Sequence, residues 1–188
     1  FFDTLLVQVG GFILGYDTTG GDASFVSLNG SPLIVAGGGG AGAWNKNGAG
    51  AVITPNGTAS NHINSQYSGT TNPAGGTGGY GGQAGIGSWG TGGGGGWYSA
   101  GLNGMGSLGG ALQCKGSVST QFAGGAGGGF SGGGGVNMDP GWGTVGGGAG
   151  GSFNTGSNQI NVDSTHNGLG LVIIRYSTSV CTGCTDPL

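Results

Sequence analysis

The chain has 188 residues, of which 55 are glycine and 5 proline, a share near one-third that by composition alone points to low complexity or disorder. Charged residues make up only 5% and the formal net charge is −3, so self-repulsion is too weak to keep the chain expanded. The three basic residues, Lys46, Lys115 and Arg175, cannot neutralise a phosphate backbone, which argues against nucleic acid, and no apolar run is long enough to span a membrane.

The first zone, 1–36, reads as strands. Leu5-Leu6-Val7-Gln8-Val9 runs into Gly10-Gly11, and Phe12-Ile13-Leu14 follows. Ser24–Leu28 alternates with period two, and Asn29-Gly30 then predicts a tight hairpin into Leu33-Ile34-Val35. Phe1 in place of Met reads as the start of a processed or partial chain.

The second zone, 37–151, is dominated by glycine. Helix is disfavoured there, because each interior glycine costs about 0.8–1.0 kcal/mol relative to alanine. Ordinary strands are also poor, since glycine has no side chain to pack. Glycine does permit close backbone contact between extended three-residue-per-turn helices, whose hydrogen bonds run between neighbours. An irregular repeat is visible at Gly92–Gly101, Gly127–Gly132 and Gly146–Phe153: a glycine run, an aromatic beside a small polar residue, and a return to glycine. The aromatics are expected to edge a glycine lattice.

The third zone, 152–176, closes the domain, with Gly170–Tyr176 expected as a strand buried on both faces. Residues 177–188 form a polar tail holding Cys181 and Cys184.

Asp3–Gly11, Asp22–Phe25, Leu33–Gly40, the glycine-aromatic-serine elements and Gly168–Ile174 resemble the glycine-rich domain of anaplastic lymphoma kinase and leukocyte tyrosine kinase ectodomains and of secreted bacterial surface proteins. The resemblance covers residues 3 to 176. It implies an all-β, non-helical fold with almost no α-helix: a β-sandwich-like frame carrying a polyglycine-II bundle, located outside the cell. Family domains usually open with two further strands, which this chain lacks. Phage tail-fibre adhesins are a looser parallel. The tail from Gly183 to Leu188 is similar to the opening of a short cysteine-containing repeat of large bacterial surface proteins.

Motifs for chemistry are weak. Gly76–Gly81 fits G-x-G-x-x-G, yet with this much glycine such matches arise by chance, and no helix follows. Cys181-Thr182-Gly183-Cys184 is better read as a structural disulfide than as a zinc or redox site; Cys114 is left free or paired with another chain. His62 and His166 sit in turn-like polar contexts, and no nucleophile–base–acid set is present, so no enzyme, metal site or cofactor is expected. Asn29 and Asn56 begin glycosylation acceptor triplets, of which Asn56 is the better candidate.

The expectation is an extracellular structural protein that self-associates into a fibre, filament or surface layer, its partners being other copies of itself. The assembly edges are Leu5, Leu6, Val7 and Val9, with Leu171 and Ile173. The alternative is a surface adhesin or receptor-type module that holds a protein or glycan through Trp44, Trp97, Tyr98 and Trp142.

Overall fold

The computed structural model describes residues 3–11, 19–43, 46–60, 72–138, 145–162 and 171–173. Four strands, β1 (Leu5–Gln8), β2 (Ser24–Leu28), β3 (Ser31–Ala36) and β4 (Phe153–Asn154), form one antiparallel sheet in the order β1-β2-β3-β4. No helix occurs among the described residues, and the fold is all-β and non-helical. The second sheet that a sandwich needs is not among them.

The β2–β3 hairpin forms as the sequence predicts. Asn29 and Gly30 both take positive φ (48° and 80°), the backbone a two-residue hairpin requires to match strand twist. Directly paired residues share a face of the sheet. One face carries the row Gln8, Phe25, Val35, Phe153, in which Phe25 and Val35 are buried. The other carries Val7, Val26, Ile34 and Asn154. The inner face packs with Ala23, Cys114 and Phe130, and Trp97 covers the cluster.

Between the sheet strands lies the glycine-rich region, which contains neither helix nor a named strand among its described residues from 37 to 151. Its hydrogen bonds run between segments distant in sequence and return to the same neighbour every third residue. The N–H groups of Thr91, Gly94 and Trp97 donate to the carbonyls of Val136, Gly133 and Phe130, an antiparallel pairing. Those of Gly132, Gly135 and Met138 donate to Tyr80, Gln83 and Ile86, a parallel one. The intervening residues turn to other neighbours. Segment 131–138 thus bonds to 79–86, 123–130, 54–60, 72–77, 90–97 and 145–152, so that it is surrounded on every side.

That packing explains the glycine. A Cβ at Gly132 would overlap the carbonyl of Gly94, and one at Gly85 would overlap that of Val136. Buried hydroxyls bind the segments further. Thr91 Oγ1 donates to the Gly124 carbonyl at 3.2 Å and accepts the Val136 N–H at 2.9 Å. Ser117 Oγ donates to the Gly92 carbonyl and accepts the Ala126 N–H, both at 2.7 Å.

One expectation is corrected. Residues 171–173, the described part of the Gly170–Tyr176 run, lie in no strand, and Leu171 and Ile173 are 60% and 65% exposed rather than buried. A strand needs a neighbour for its backbone groups, and no described strand lies alongside these residues.

Candidate functional site

β1 is the outermost described strand on one side of the sheet, and its pairing with β2 is regular. The Asn29 N–H donates to the Thr4 carbonyl at 3.0 Å, which fixes the alternation of bonded pairs along the ladder. By that alternation the backbone N–H and C=O groups of Leu6 and Gln8 face β2, while those of Leu5 and Val7 point away from the sheet. Their side chains are also open: Leu5, Leu6, Val7 and Val9 are 40–55% exposed. Thr4–Gly11 contains no charge and no proline, and β1 has no bulge, so the usual defences of an edge strand are missing. The four residues assigned to an assembly edge at this end are therefore brought together. Leu171 and Ile173 are exposed too, but on no strand edge.

The aromatics of the irregular repeat converge at one end of the glycine-rich region. Phe25 meets Trp97 edge-on, with ring centroids 5.0 Å apart. Tyr98 approaches Phe130 at 6.1 Å, and Phe130 stacks on Phe153 at 4.2 Å. Trp97 is consequently half-buried against the core, which corrects its reading as a surface contact. Tyr98 is 58% exposed and lies 6.2 Å from Tyr80, itself 59% exposed. Tyr98 is held by its N–H to the Gly79 carbonyl at 2.8 Å. Trp44 and Trp142 lie outside the described residues. A second pair, Trp89 stacked on Phe122 at 4.8 Å, lies at the start of segment 90–97, whose other end carries Trp97.

Cys114 is a free thiol and fully buried, which places it beyond reach of another chain's cysteine and removes it from the disulfide candidates. Burial, reinforced by the Asp22 carboxylate and opposed by Lys115, pushes its pKa up to about 12. Such a thiol is neither nucleophile nor metal ligand at neutral pH. Beside it Asp22 accepts from Lys115 Nζ and from the Gly116 N–H, each at 2.9 Å, and ties segment 114–119 to β2. Cys181, Cys184, His62 and His166 lie outside the described residues, and these contain no cluster of three potential metal ligands.

The G-x-G-x-x-G match holds no phosphate cradle. The N–H groups of Gly76, Gly79 and Gly81 are spent on the Gly132 carbonyl, Ser131 Oγ and Ser99 Oγ. Asn56 is exposed, whereas the Thr58 hydroxyl of its triplet accepts the Ala149 N–H at 2.8 Å. No protein-family model, curated protein or solved structure matches the chain.

Proposed function

We propose that the chain is an extracellular structural module that self-associates into a fibre, filament or surface layer, its sheet gaining a strand from a neighbouring copy at β1. The observation that carries this reading is the undefended edge at Leu5 and Val7, whose backbone groups face outward beside four exposed aliphatic side chains. The third-residue recurrence of bonds supports a polyglycine-II backbone for the lattice, a rigid body on which such an edge is presented. The extracellular setting rests on the resemblance to glycine-rich surface domains.

Sedimentation and negative-stain imaging test the reading. Wild-type protein is expected to form polymers in a concentration-dependent way. Val7→Pro removes only an outward-facing N–H and is expected to abolish them while leaving the β1–β2 ladder intact. A wild-type chain that stays monomeric at high micromolar concentration would sink the proposal.

A second reading, a surface module that binds a glycan or protein, is favoured by one observation: the exposed, backbone-anchored pair Tyr80 and Tyr98. Its signature would be discrete particles whose ligand retention falls with Tyr98→Ala.

A further inference from the structure

The two tyrosines among the described residues, Tyr80 and Tyr98, stand side by side and both face solvent. Their ring centroids are 6.2 Å apart with the planes inclined at 53°, and the residues are 59% and 58% exposed. Their backbones are fixed. The Tyr98 N–H donates to the Gly79 carbonyl at 2.8 Å and the Tyr80 N–H to the Thr77 carbonyl at 3.1 Å. The Tyr80 carbonyl in turn accepts the Gly132 N–H at 3.0 Å. The Tyr98 ring is placed as well: it meets Phe130 edge-on, and a Cβ built on Gly79 would lie 2.5 Å from its Cδ2. Gly79, at φ 92°, thus leaves its side-chain space to that ring.

We infer that Tyr80 and Tyr98 are an oxidative cross-linking site, at which a peroxide-driven one-electron oxidant joins the two rings as an intramolecular dityrosine. Each phenol gives up one electron and its hydroxyl proton to become a phenoxyl radical. The radicals join by a carbon–carbon bond between ring positions ortho to the oxygens. The hydrogen on each joined carbon then moves, as a proton, to the oxygen of its ring and restores the phenol. The protein loses two hydrogens in all, and one hydrogen peroxide takes up those two electrons and two protons to become two waters. Both backbones are already in place, so the rings close by side-chain rotation alone, which is fast for exposed residues. The free cysteine among the described residues, Cys114, is buried away from such an oxidant and does not compete. The product is a staple from the turn at 77–81 to segment 98–102, which now meet through Gly81 N–H to Ser99 Oγ at 2.9 Å and Leu102 N–H to the Gly82 carbonyl at 3.0 Å. Closing the loop between 80 and 98 restricts the unfolded chain as a disulfide does. The inference concerns a single chain and does not rest on the self-association proposed above.

The test treats the full chain with a haem peroxidase and hydrogen peroxide over a range of dilutions. Dityrosine fluorescence gives the yield, and chymotryptic mapping, which cuts at Trp89 between the two tyrosines, locates the link by mass. Tyr16, Tyr67 and Tyr176, which lie outside the described residues, are internal competitors. The expected product joins Tyr80 to Tyr98, is two hydrogens lighter than the separate peptides, and forms in a yield that dilution does not change. Tyr98→Phe, which keeps the ring against Phe130, is expected to lose it, and Tyr67→Phe to retain it. The cross-linked chain is expected to unfold at a higher urea concentration than the untreated one. A link formed mainly at other tyrosines, or a yield that falls with dilution, overturns the inference. So does an equal yield from the chain unfolded in urea, which would show that closeness in sequence, and not the fold, brings the rings together.

Discussion

The N–H of Gly133 donates to the carbonyl of Gly127 at 2.8 Å, while a Cβ built on Gly133 would overlap the Gly148 carbonyl. The same residue is thus bonded to one neighbouring segment and pressed against another. This is the rule of the lattice: separations are set by backbone–backbone bonds, and no room is left for a methyl group. Gly133→Ala is expected to destabilise the fold by about 3 kcal/mol or more, beyond ordinary overpacking, because backbone rather than a side chain must move. Gly11→Ala is the control. It meets nothing within 4 Å and should be neutral or stabilising by up to about 1 kcal/mol. Chemical denaturation of the two variants checks the contrast, and similar midpoints would contradict it.

Buried hydroxyls give a second prediction. Ser117 is fully buried and joins Gly92 to Ala126 through a donated and an accepted bond. Ser117→Ala leaves the Ala126 N–H and one lone pair of the Gly92 carbonyl without that partner. The expected cost is about 1–3 kcal/mol, the desolvation penalty of an orphaned donor. Loss of less than half a kcal/mol in urea melts would show that the lattice relaxes around the gap.

How far the sequence discloses this fold depends on the distance over which its signals act. The β2–β3 hairpin was legible because Asn29-Gly30 is a local code that the flanking alternation of Ser24–Leu28 supports. Strand β1 was legible, but the face it leaves open was not, since Leu5-Leu6-Val7 places apolar side chains on both sides. In the lattice, glycine is needed wherever a neighbour's carbonyl approaches. Around a segment such as 131–138 neighbours stand on all sides, so the pattern carries no record of which segment lies where. The burial of Cys114 was equally hidden. It sits at φ 66° after Gln113 at φ 63°, a left-handed pair of non-glycine residues next to Lys115, which bonds Asp22 across 93 positions.

Gln8 offers a test on β1 itself. Its side-chain Nε2 is buried on the core-facing row and has no hydrogen-bond partner. An unsatisfied buried amide costs free energy that an apolar side chain of similar shape does not. Gln8→Met is expected to raise stability by about 1 kcal/mol without altering the outer edge at Leu5 and Val7. A drop in melting temperature would mean that the amide is engaged after all.

The last prediction concerns alkaline pH. In the folded chain the Cys114 thiol holds its proton up to about 12, against an ordinary value of 9.0, chiefly because burial penalises the thiolate and secondarily because Asp22 is near. Below pH 9 the thiol is protonated in both folded and unfolded chains, and its full contribution to stability is present. Between pH 9 and 12 the unfolded chain releases this proton and the folded chain keeps it. Stability must then fall as pH rises, by about 1.4 kcal/mol per unit from this group. The slope is read as a difference between wild type and Cys114→Ala, which cancels the contributions the two proteins share. The variant should be less stable at pH 7, where the core loses a buried sulfur, yet its stability should decline less steeply above pH 9. Parallel curves for the two proteins across pH 8 to 11 would show that Cys114 is already ionisable in the folded state. Labelling of Cys114 by a thiol reagent at pH 8 in the native protein would show the same, and would move this residue from the core to the surface chemistry of the molecule.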